Sequence, residues 1–170
     1  EHLPWNSFGR KNVGFLFAMI QGARIIYDVD DDNIPFTGST QNLTDLMKHS
    51  NINARVVSGL LHANVYPLFT SEALPWPRGY PLDGINAEGP ALVQEHVAKS
   101  NVNTATIGVV QSLAQHNPDV DAIYRLTQKL PITFEEQSPV VLDAGTFSPF
   151  NAQATFWYQP SFLTMLLPTS

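Results

Sequence analysis

The sequence predicts an α/β fold in which helices flank a mixed sheet. A helical pattern from Asn12 to Gln21 leads directly into a run of β-branched and aromatic residues from Ala23 to Val29, and a second β-rich run spans Thr104 to Leu113. A helix that leads into a strand is typical of α/β proteins. The chain has 170 residues, 44% of them hydrophobic and 14% charged, which excludes a disordered chain and predicts a single domain over residues 1–170.

The first helix is predicted from its apolar spacing. Val13, Phe17 and Ile20 fall on one face, and Gly22 provides a natural end to the helix. The strand that follows is long enough for one buried strand, and it ends abruptly in a run of acids. Open α/β sheets bind their ligands at the carboxyl ends of strands, so this junction is the first candidate site.

The remaining elements follow from local composition. Prolines concentrated between residues 67 and 81 predict a rigid, irregular middle segment, because each proline lacks a backbone donor. We further expect a helical turn over Leu43–His49, a strand over Arg55–Leu61, a helix over Val120–Lys129 and a short strand over Val140–Leu142.

Charge and composition exclude several functions. The formal net charge is −6 and no run of lysine or arginine is present, so nucleic-acid binding is not expected. The absence of cysteine excludes disulfides, a thiolate nucleophile and cysteine-ligated zinc. No apolar stretch reaches the roughly 18–20 residues of a membrane span, and the start Glu1–Pro4 does not resemble a signal peptide. A start without methionine indicates a processed chain or an excised piece.

The strongest motif is the acidic run that ends the predicted strand. Asp28, Asp30, Asp31 and Asp32 crowd four carboxylates into five positions, which calls for a compensating positive charge. An EF-hand is rejected, because the loop lacks glycine at its sixth position and glutamate at its twelfth. A strand that ends in Asp-x-Asp instead indicates Mg²⁺ or Mn²⁺ bound through one or two carboxylates, with substrate phosphates completing the shell. A solvated acidic loop is the alternative.

Two basic segments are candidates for anion binding. Arg10, Lys11 and Asn12 stand at the predicted start of the first helix, where free N–H groups and the helix dipole favour a phosphate. Arg78 lies between prolines in Trp76–Leu82, so its guanidinium could contact a diphosphate in bidentate fashion. A solvated basic helix start is the alternative for the first segment.

Two further segments carry candidate site residues. In Pro118–Asp121, we expect Asp119 to cap the following helix, which leaves Asp121 either as a general base or as an acid that complements the helix dipole. Asn151 and Gln153, with the nearby Trp157, combine amides and aromatic rings as sugar sites do, although aromatic residues more often form core. Neither paired histidine ligands nor a nucleophile elbow is present.

Taken in order, these motifs resemble a known family. They are Gly9–Gly14, Ile25–Asn33, Trp76–Leu82, Pro118–Thr127 and Gly145–Gln153. The sequence is similar to the STELLO-type glycosyltransferase-like proteins over nearly its whole length. A more distant similarity, through the triple aspartate, the Arg-Gly-aromatic-Pro segment and the Pro-Asp-x-Asp-Ala segment, is to the reversibly glycosylated polypeptides that act as UDP-arabinopyranose mutases. Both resemblances imply the GT-A fold, a Rossmann-like mixed sheet flanked by helices.

The resemblance implies a metal-dependent transferase that uses a nucleotide sugar, such as a UDP-sugar, and a glycan acceptor. It implies Mn²⁺ or Mg²⁺ on Asp30 and Asp32, with Asp28 or Asp31 in support. It also implies that Arg10, Lys11 or Arg78 offsets the charge of the leaving diphosphate. In the same way, Asp121 is implied as the base for an inverting reaction, and Asn151, Gln153 and Trp157 as the residues that orient the sugar or acceptor.

The chain departs from the GT-A pattern at its start. Only nine residues precede Arg10, so the strand–helix–strand half that binds the nucleotide base is expected to be absent. The chain is then the C-terminal part of such a domain, or relies on a partner protein. A non-catalytic scaffold or interaction module in a glycan-synthesising assembly is the main alternative function. A sugar mutase, which would need a covalently modified arginine, is a weaker one.

The resemblance also implies a compartment. Plant relatives are implied to be membrane-anchored Golgi proteins, so the Golgi lumen is the expected location. The glycosylation sequon Asn42-Leu43-Thr44 gives this expectation weak support.

Overall fold

The computed structural model describes residues 5, 7–71, 74–87 and 93–167; the start Glu1–Pro4, considered above as a leader, lies outside them. The helices are α1 (Lys11–Ile20), α2 (Ser39–Leu46), α3 (Leu82–Ala87) and α4 (Ala122–Thr127), and the strands are β1 (Ile25–Val29), β2 (Asn51–Val57), β3 (Val97–Asn103), β4 (Val109–Gln111), β5 (Val140–Leu142) and β6 (Ala154–Tyr158). Short 3₁₀ helices span Phe8–Arg10, Tyr66–Leu68, Thr104–Thr106 and Gln159–Met165. No helix among these residues is long and apolar enough to cross a membrane.

The strands form two small sheets. The first has the order β1-β6-β4 and is antiparallel throughout, so β6 is its central strand. The second has the order β3-β2-β5, in which β2 runs antiparallel to β3 and parallel to β5. The fold is therefore mixed α/β, as the sequence predicts, and it is consistent with part of a GT-A-like fold. The strands are divided between two sheets rather than joined in one.

The hydrophobic core is also divided. One cluster lies in the middle of the chain and contains Tyr66, Trp76, Val120, Tyr124, Ile132 and Phe134. A second packs α1 against the first sheet and contains Phe15, Trp157, Phe162 and Met165. A third, containing Val57, Ala63 and Val93, packs against β5 and the start of β3. Each sheet therefore has its own apolar layer.

Helix α1 has the predicted bounds within one residue, and Gly22 follows it with a φ of 78°, as a C-terminal glycine should. The apolar face noted in the sequence does not form the core, however. Val13, Phe17 and Ile20 are 57%, 64% and 79% exposed, whereas Phe15 is only 8% exposed. Phe15 packs into the second core cluster, so the helix is rotated relative to its most obvious apolar stripe.

The prediction that β1 is a fully buried strand is wrong. Its residues are half-buried or exposed, because within the described chain it pairs only with β6 and forms the edge of its sheet. Strand β5 has its predicted bounds, whereas β2 begins and ends four residues earlier than the predicted Arg55–Leu61. The Thr104–Leu113 run is divided between a 3₁₀ turn and the three residues of β4. Strands β3 and β6 were not predicted.

Candidate functional site

The carboxyl end of β1 carries a partly buried ion pair. Lys11, the first residue of α1, places its Nζ 3.1 Å from Oδ1 of Asp28 and 3.8 Å from Oδ1 of Asp30. The side chain of Asp28 is 13% exposed, whereas that of Asp30 is 45% exposed. The compensating positive charge that the acidic run requires is therefore supplied in part by Lys11, and Asp30 remains accessible.

The other two acids of the run, Asp31 and Asp32, follow the ion pair along the chain. Asp31 and Asp32 form an exposed turn after β1, and Oδ1 of Asp32 accepts a 2.9 Å hydrogen bond from the side chain of Asn33. Among the described residues, no three His, Cys, Asp or Glu side chains converge to form a metal cluster. Any cation held here would thus have one or two carboxylate ligands from the chain.

The sheet register brings the predicted amides to the same place. Val29 at the end of β1 lies opposite Ala154 at the start of β6, so the residues just before β6 lie beside those just after β1. Asn151 and Gln153 belong to this segment, and the backbone N–H of Gln153 donates to Oδ1 of Asn151 at 2.9 Å. Residues more than a hundred positions apart therefore share one edge of the first sheet.

A second polar group contains Arg78, Asp119 and Asn151. Nη2 of Arg78 lies 2.9 Å from Oδ2 of Asp119, and the side-chain amide of Asn151 donates to the same oxygen. The Asp119 side chain is 11% exposed and that of Arg78 is 66% exposed. Burial raises the pKa of the nearby Tyr66 phenol, and the negative charge of Asp119 raises it further.

The expected roles of the two acids in Pro118–Asp121 are reversed. Asp121 caps α4, because its Oδ1 accepts a 2.7 Å hydrogen bond from the backbone N–H of Tyr124. Its Oδ2 accepts a 2.5 Å hydrogen bond from the indole of Trp76. The prediction that Asp119 is the cap is wrong: its carbonyl pairs with the backbone N–H of Arg78, and its side chain contacts Arg78.

Three other predicted site residues have structural surroundings. The guanidinium of Arg10 lies over the ring of Trp5, 4.5 Å from its centroid. Asn12 is buried and exchanges two hydrogen bonds, of 2.7 and 2.8 Å, with the backbone of Leu167, so it fastens α1 to the end of the described chain. Trp157 is only 8% exposed and belongs to the core cluster around Phe15.

A cleft of about 1420 Å³ extends between the two sheets, lined in part by residues of β2, β3, β4 and β5. Arg78, Asp119 and Asn151 line it, whereas Lys11, Asp28 and Asp30 are not among its lining residues. Asn151 therefore links the two polar groups along the chain, since it contacts Asp119 in the cleft and lies three residues before Ala154, which pairs with the end of β1. Ser148, which also lines the cleft, was not singled out by the sequence, although it lies within one of the five motifs.

Comparison with known proteins shows two relatives that are similar to the whole chain. No family model matches the chain. Two curated proteins of Arabidopsis thaliana, named "Probable glycosyltransferase STELLO1" and "Probable glycosyltransferase STELLO2", are each 30% identical to it over 190 aligned residues. The match covers 100% of the chain but 23% of each relative, so the chain spans about a quarter of the length of the curated relatives it matches.

The chain is therefore similar over its whole length to part of two proteins named as probable glycosyltransferases. The family resemblance that the five motifs indicate is confirmed: the chain is related over its whole length to a segment of the STELLO-type glycosyltransferase-like proteins.

Proposed function

We propose that the chain is part of a metal-dependent glycosyltransferase that uses a nucleotide-sugar donor, with a UDP-sugar as the first candidate and a glycan as acceptor. The observation that supports this most directly is the meeting of the acidic end of β1, Lys11 and the Asn151–Gln153 segment at one sheet edge. The names of the relatives support the glycosyltransferase class. The donor, the metal and the individual residue roles are our proposal.

The residues at the end of β1 fit a hard divalent cation. Asp30 is half-exposed and its contact with Lys11 is long, so its carboxylate is free to ligate Mn²⁺ or Mg²⁺, with Asp32 in the following turn as a second ligand. We assign Asp28 a supporting role, because its carboxylate is held by Lys11. When bound, the metal would neutralise charge on the leaving diphosphate.

The chain's own residues would position the substrate. Lys11 can donate to a phosphate oxygen next to Asp30, because an ammonium group has three donors and, among the described residues, it donates one short hydrogen bond, to Asp28. The side chain of Gln153, at the adjoining edge, would orient the sugar. We assign Asp121 to structure rather than to base catalysis, because both of its oxygens accept hydrogen bonds within the fold.

The proposed location is the Golgi lumen. Asn42 of the glycosylation sequon is exposed, as an asparagine that receives an N-linked glycan must be. Modification of Asn42 in a secretory expression host, detected by a mass change on glycosidase treatment, would support this location.

Isothermal titration of UDP into the folded chain, with and without Mn²⁺, tests the proposal. We expect Mn²⁺-dependent binding that is lost in the double variant Asp30→Ala, Asp32→Ala and retained in Asp83→Ala, which removes an exposed acid of α3. Because Asp30 is half-exposed and Asp32 is exposed, we expect the double variant to stay folded, and circular dichroism checks this.

Two outcomes would contradict the proposal. One is the absence of heat with a chain shown to be folded, which would favour the non-catalytic scaffold. The other is UDP binding that is indifferent to both Mn²⁺ and the two substitutions, which would remove the acidic run from the site.

A further inference from the structure

The inter-sheet cleft contains polar groups that the metal and nucleotide site does not use. Asp119, 9% exposed as a whole residue, is held at one oxygen by Arg78 and Asn151. Among the described residues, the contacts of its carboxylate with Arg78 and Asn151 are both made through Oδ2, which leaves Oδ1 available. A buried carboxylate held in place by two donors, with one oxygen left over, can accept a hydrogen bond from a ligand without reorganising.

Ser148 provides a second, independent observation. It is only 7% exposed, it lines the cleft beside Pro149, and its Oγ has no hydrogen-bond partner among the described residues. A buried hydroxyl without a partner costs free energy, and such groups are rare in folded proteins unless they have a function. Ser148 lies three residues from Asn151 and in the same cleft as Asp119, so a turn of its side chain toward the cleft would give the buried hydroxyl a polar ligand as its partner.

The cleft also offers apolar surface next to these groups. Phe147 and Phe150, on either side of Ser148, both line the cleft and are 50% and 43% exposed. A ligand that satisfies a carboxylate, a guanidinium and a hydroxyl while covering aromatic rings must carry several hydroxyl groups on a compact frame with apolar C–H faces. A pyranose or furanose ring has this chemistry, whereas a second anion would be repelled by Asp119.

We propose that Asp119, Ser148 and Arg78 form a sugar-binding subsite in the inter-sheet cleft, separate from the acidic end of β1, which receives the acceptor glycan. Asp119 accepts a hydrogen bond from a sugar hydroxyl through Oδ1, and Ser148 supplies a second hydrogen bond once its buried hydroxyl turns toward the cleft. The exposed rings of Phe147 and Phe150 contact the C–H face of the sugar. Asn151, which contacts Asp119 and precedes β6, joins this subsite to the donor site. The description of the sugar as an acceptor rests on the proposed function; the subsite itself does not.

Titration of the ¹⁵N-labelled chain with glucose, galactose or xylose, followed by amide chemical shifts, tests the subsite without nucleotide or metal. Glycerol serves as an acyclic polyol control. We expect at least one sugar, but not glycerol, to shift the amides of Asp119 and residues 147–151 in a saturable manner.

Two variants, each lacking one of the proposed hydrogen-bonding groups, test the subsite directly. Ser148→Ala removes a hydroxyl that has no partner, so we expect sugar affinity to fall about threefold to tenfold while the thermal midpoint stays the same or rises. Asp119→Asn should lower the affinity about tenfold or more. The matched controls Ser71→Ala and Asp83→Asn change exposed residues outside the cleft and should bind as the parent does.

The proposal is overturned if no sugar shifts the amides of the folded chain, if the shifts lie outside the cleft, or if Ser148→Ala and Asp119→Asn both bind with unchanged affinity. Failure of UDP binding with sugar binding intact would contradict the proposed donor site alone. The reverse result would contradict the subsite alone.

Discussion

Two aspartates that lie two residues apart, Asp119 and Asp121, have different surroundings and therefore different properties. Both carboxylate oxygens of Asp121 accept a hydrogen bond, one from the backbone N–H of Tyr124 and one from the indole of Trp76. Both donor residues belong to the first core cluster, in the middle of the chain. Asp119 faces the cleft with Arg78 and keeps an oxygen for a ligand. Two residues of backbone are enough to separate a stabilising carboxylate from a binding one.

Substitution of Asp121 should destabilise the fold. In Asp121→Ala, α4 loses its cap and the 7% exposed Trp76 keeps a buried N–H without a partner, so the free energy of unfolding should fall by about 2–4 kcal/mol. Urea denaturation measures the change. Asp83→Ala, in the first turn of α3, should cost less than about 1 kcal/mol. Equal costs for the two variants would show that Asp121 has no capping role.

Because of Tyr66, the free energy of unfolding should depend on pH in the alkaline range. Because its pKa in the folded chain lies above the ordinary value of 10.0, the unfolded chain loses this proton first as pH rises. The contribution of Tyr66 is complete below about pH 10 and declines above it, by up to about 1.4 kcal/mol per pH unit for one proton.

Denaturation midpoints of the parent and of Tyr66→Phe, measured from about pH 8 to about pH 11, test this expectation. The variant should lose stability less steeply than the parent above about pH 10, and the two curves should run parallel below it. Curves that stay parallel over the whole range would contradict the buried position of Tyr66.

At the scale of elements, α1 shows how a helix can be predicted correctly and oriented wrongly. Its sequence is apolar on most sides, so several stripes could face the core. Asn12, tied to Leu167, and Lys11, paired with Asp28, fix the rotation that buries Phe15 and turns Phe17 outward. Polar contacts thus determine which face of α1 is buried, because hydrophobicity alone does not distinguish its apolar faces.

Phe15 and Phe17 form a matched pair that tests this orientation. Phe15→Ala should lower the free energy of unfolding by about 3–5 kcal/mol, because it opens a cavity between α1 and the core around Trp157. Phe17→Ala, at a residue 64% exposed, should cost less than about 1 kcal/mol. Urea denaturation of both variants decides the matter, and a larger cost at Phe17 would mean that the helix is rotated the other way in solution.

At the scale of the whole molecule, the strands of the two sheets differ in how many neighbouring strands they pair with. Strands β6 and β2 are paired on both sides, whereas β1, which leads into the acidic run, is paired on one side within the described chain. An edge strand exposes part of its backbone to solvent and opens at a lower free energy than a central strand. The proposed donor site therefore lies beside one of the less protected strands.

Amide hydrogen exchange should show this order. We expect the slowest exchange in β6 and β2 and faster exchange at those β1 amides that do not face β6. Mass spectrometry of peptides covering Ile25–Val29 and Ala154–Tyr158 measures it. Protection of every β1 amide to the level of β6 would mean that another strand pairs with its outer edge.

The sequence by itself determined the α/β class, α1, the strand over Ile25–Val29 with its acidic end, β5, and the resemblance to the STELLO-type proteins that the relatives confirm. These features depend on local composition and periodicity, which can be recognised within a short stretch of sequence. Only the tertiary structure decided that β3 and β6 are strands, that Lys11 pairs with Asp28, and that Asp119 rather than Asp121 faces the cleft. Each of these depends on contacts between residues far apart in the chain, which local patterns do not specify.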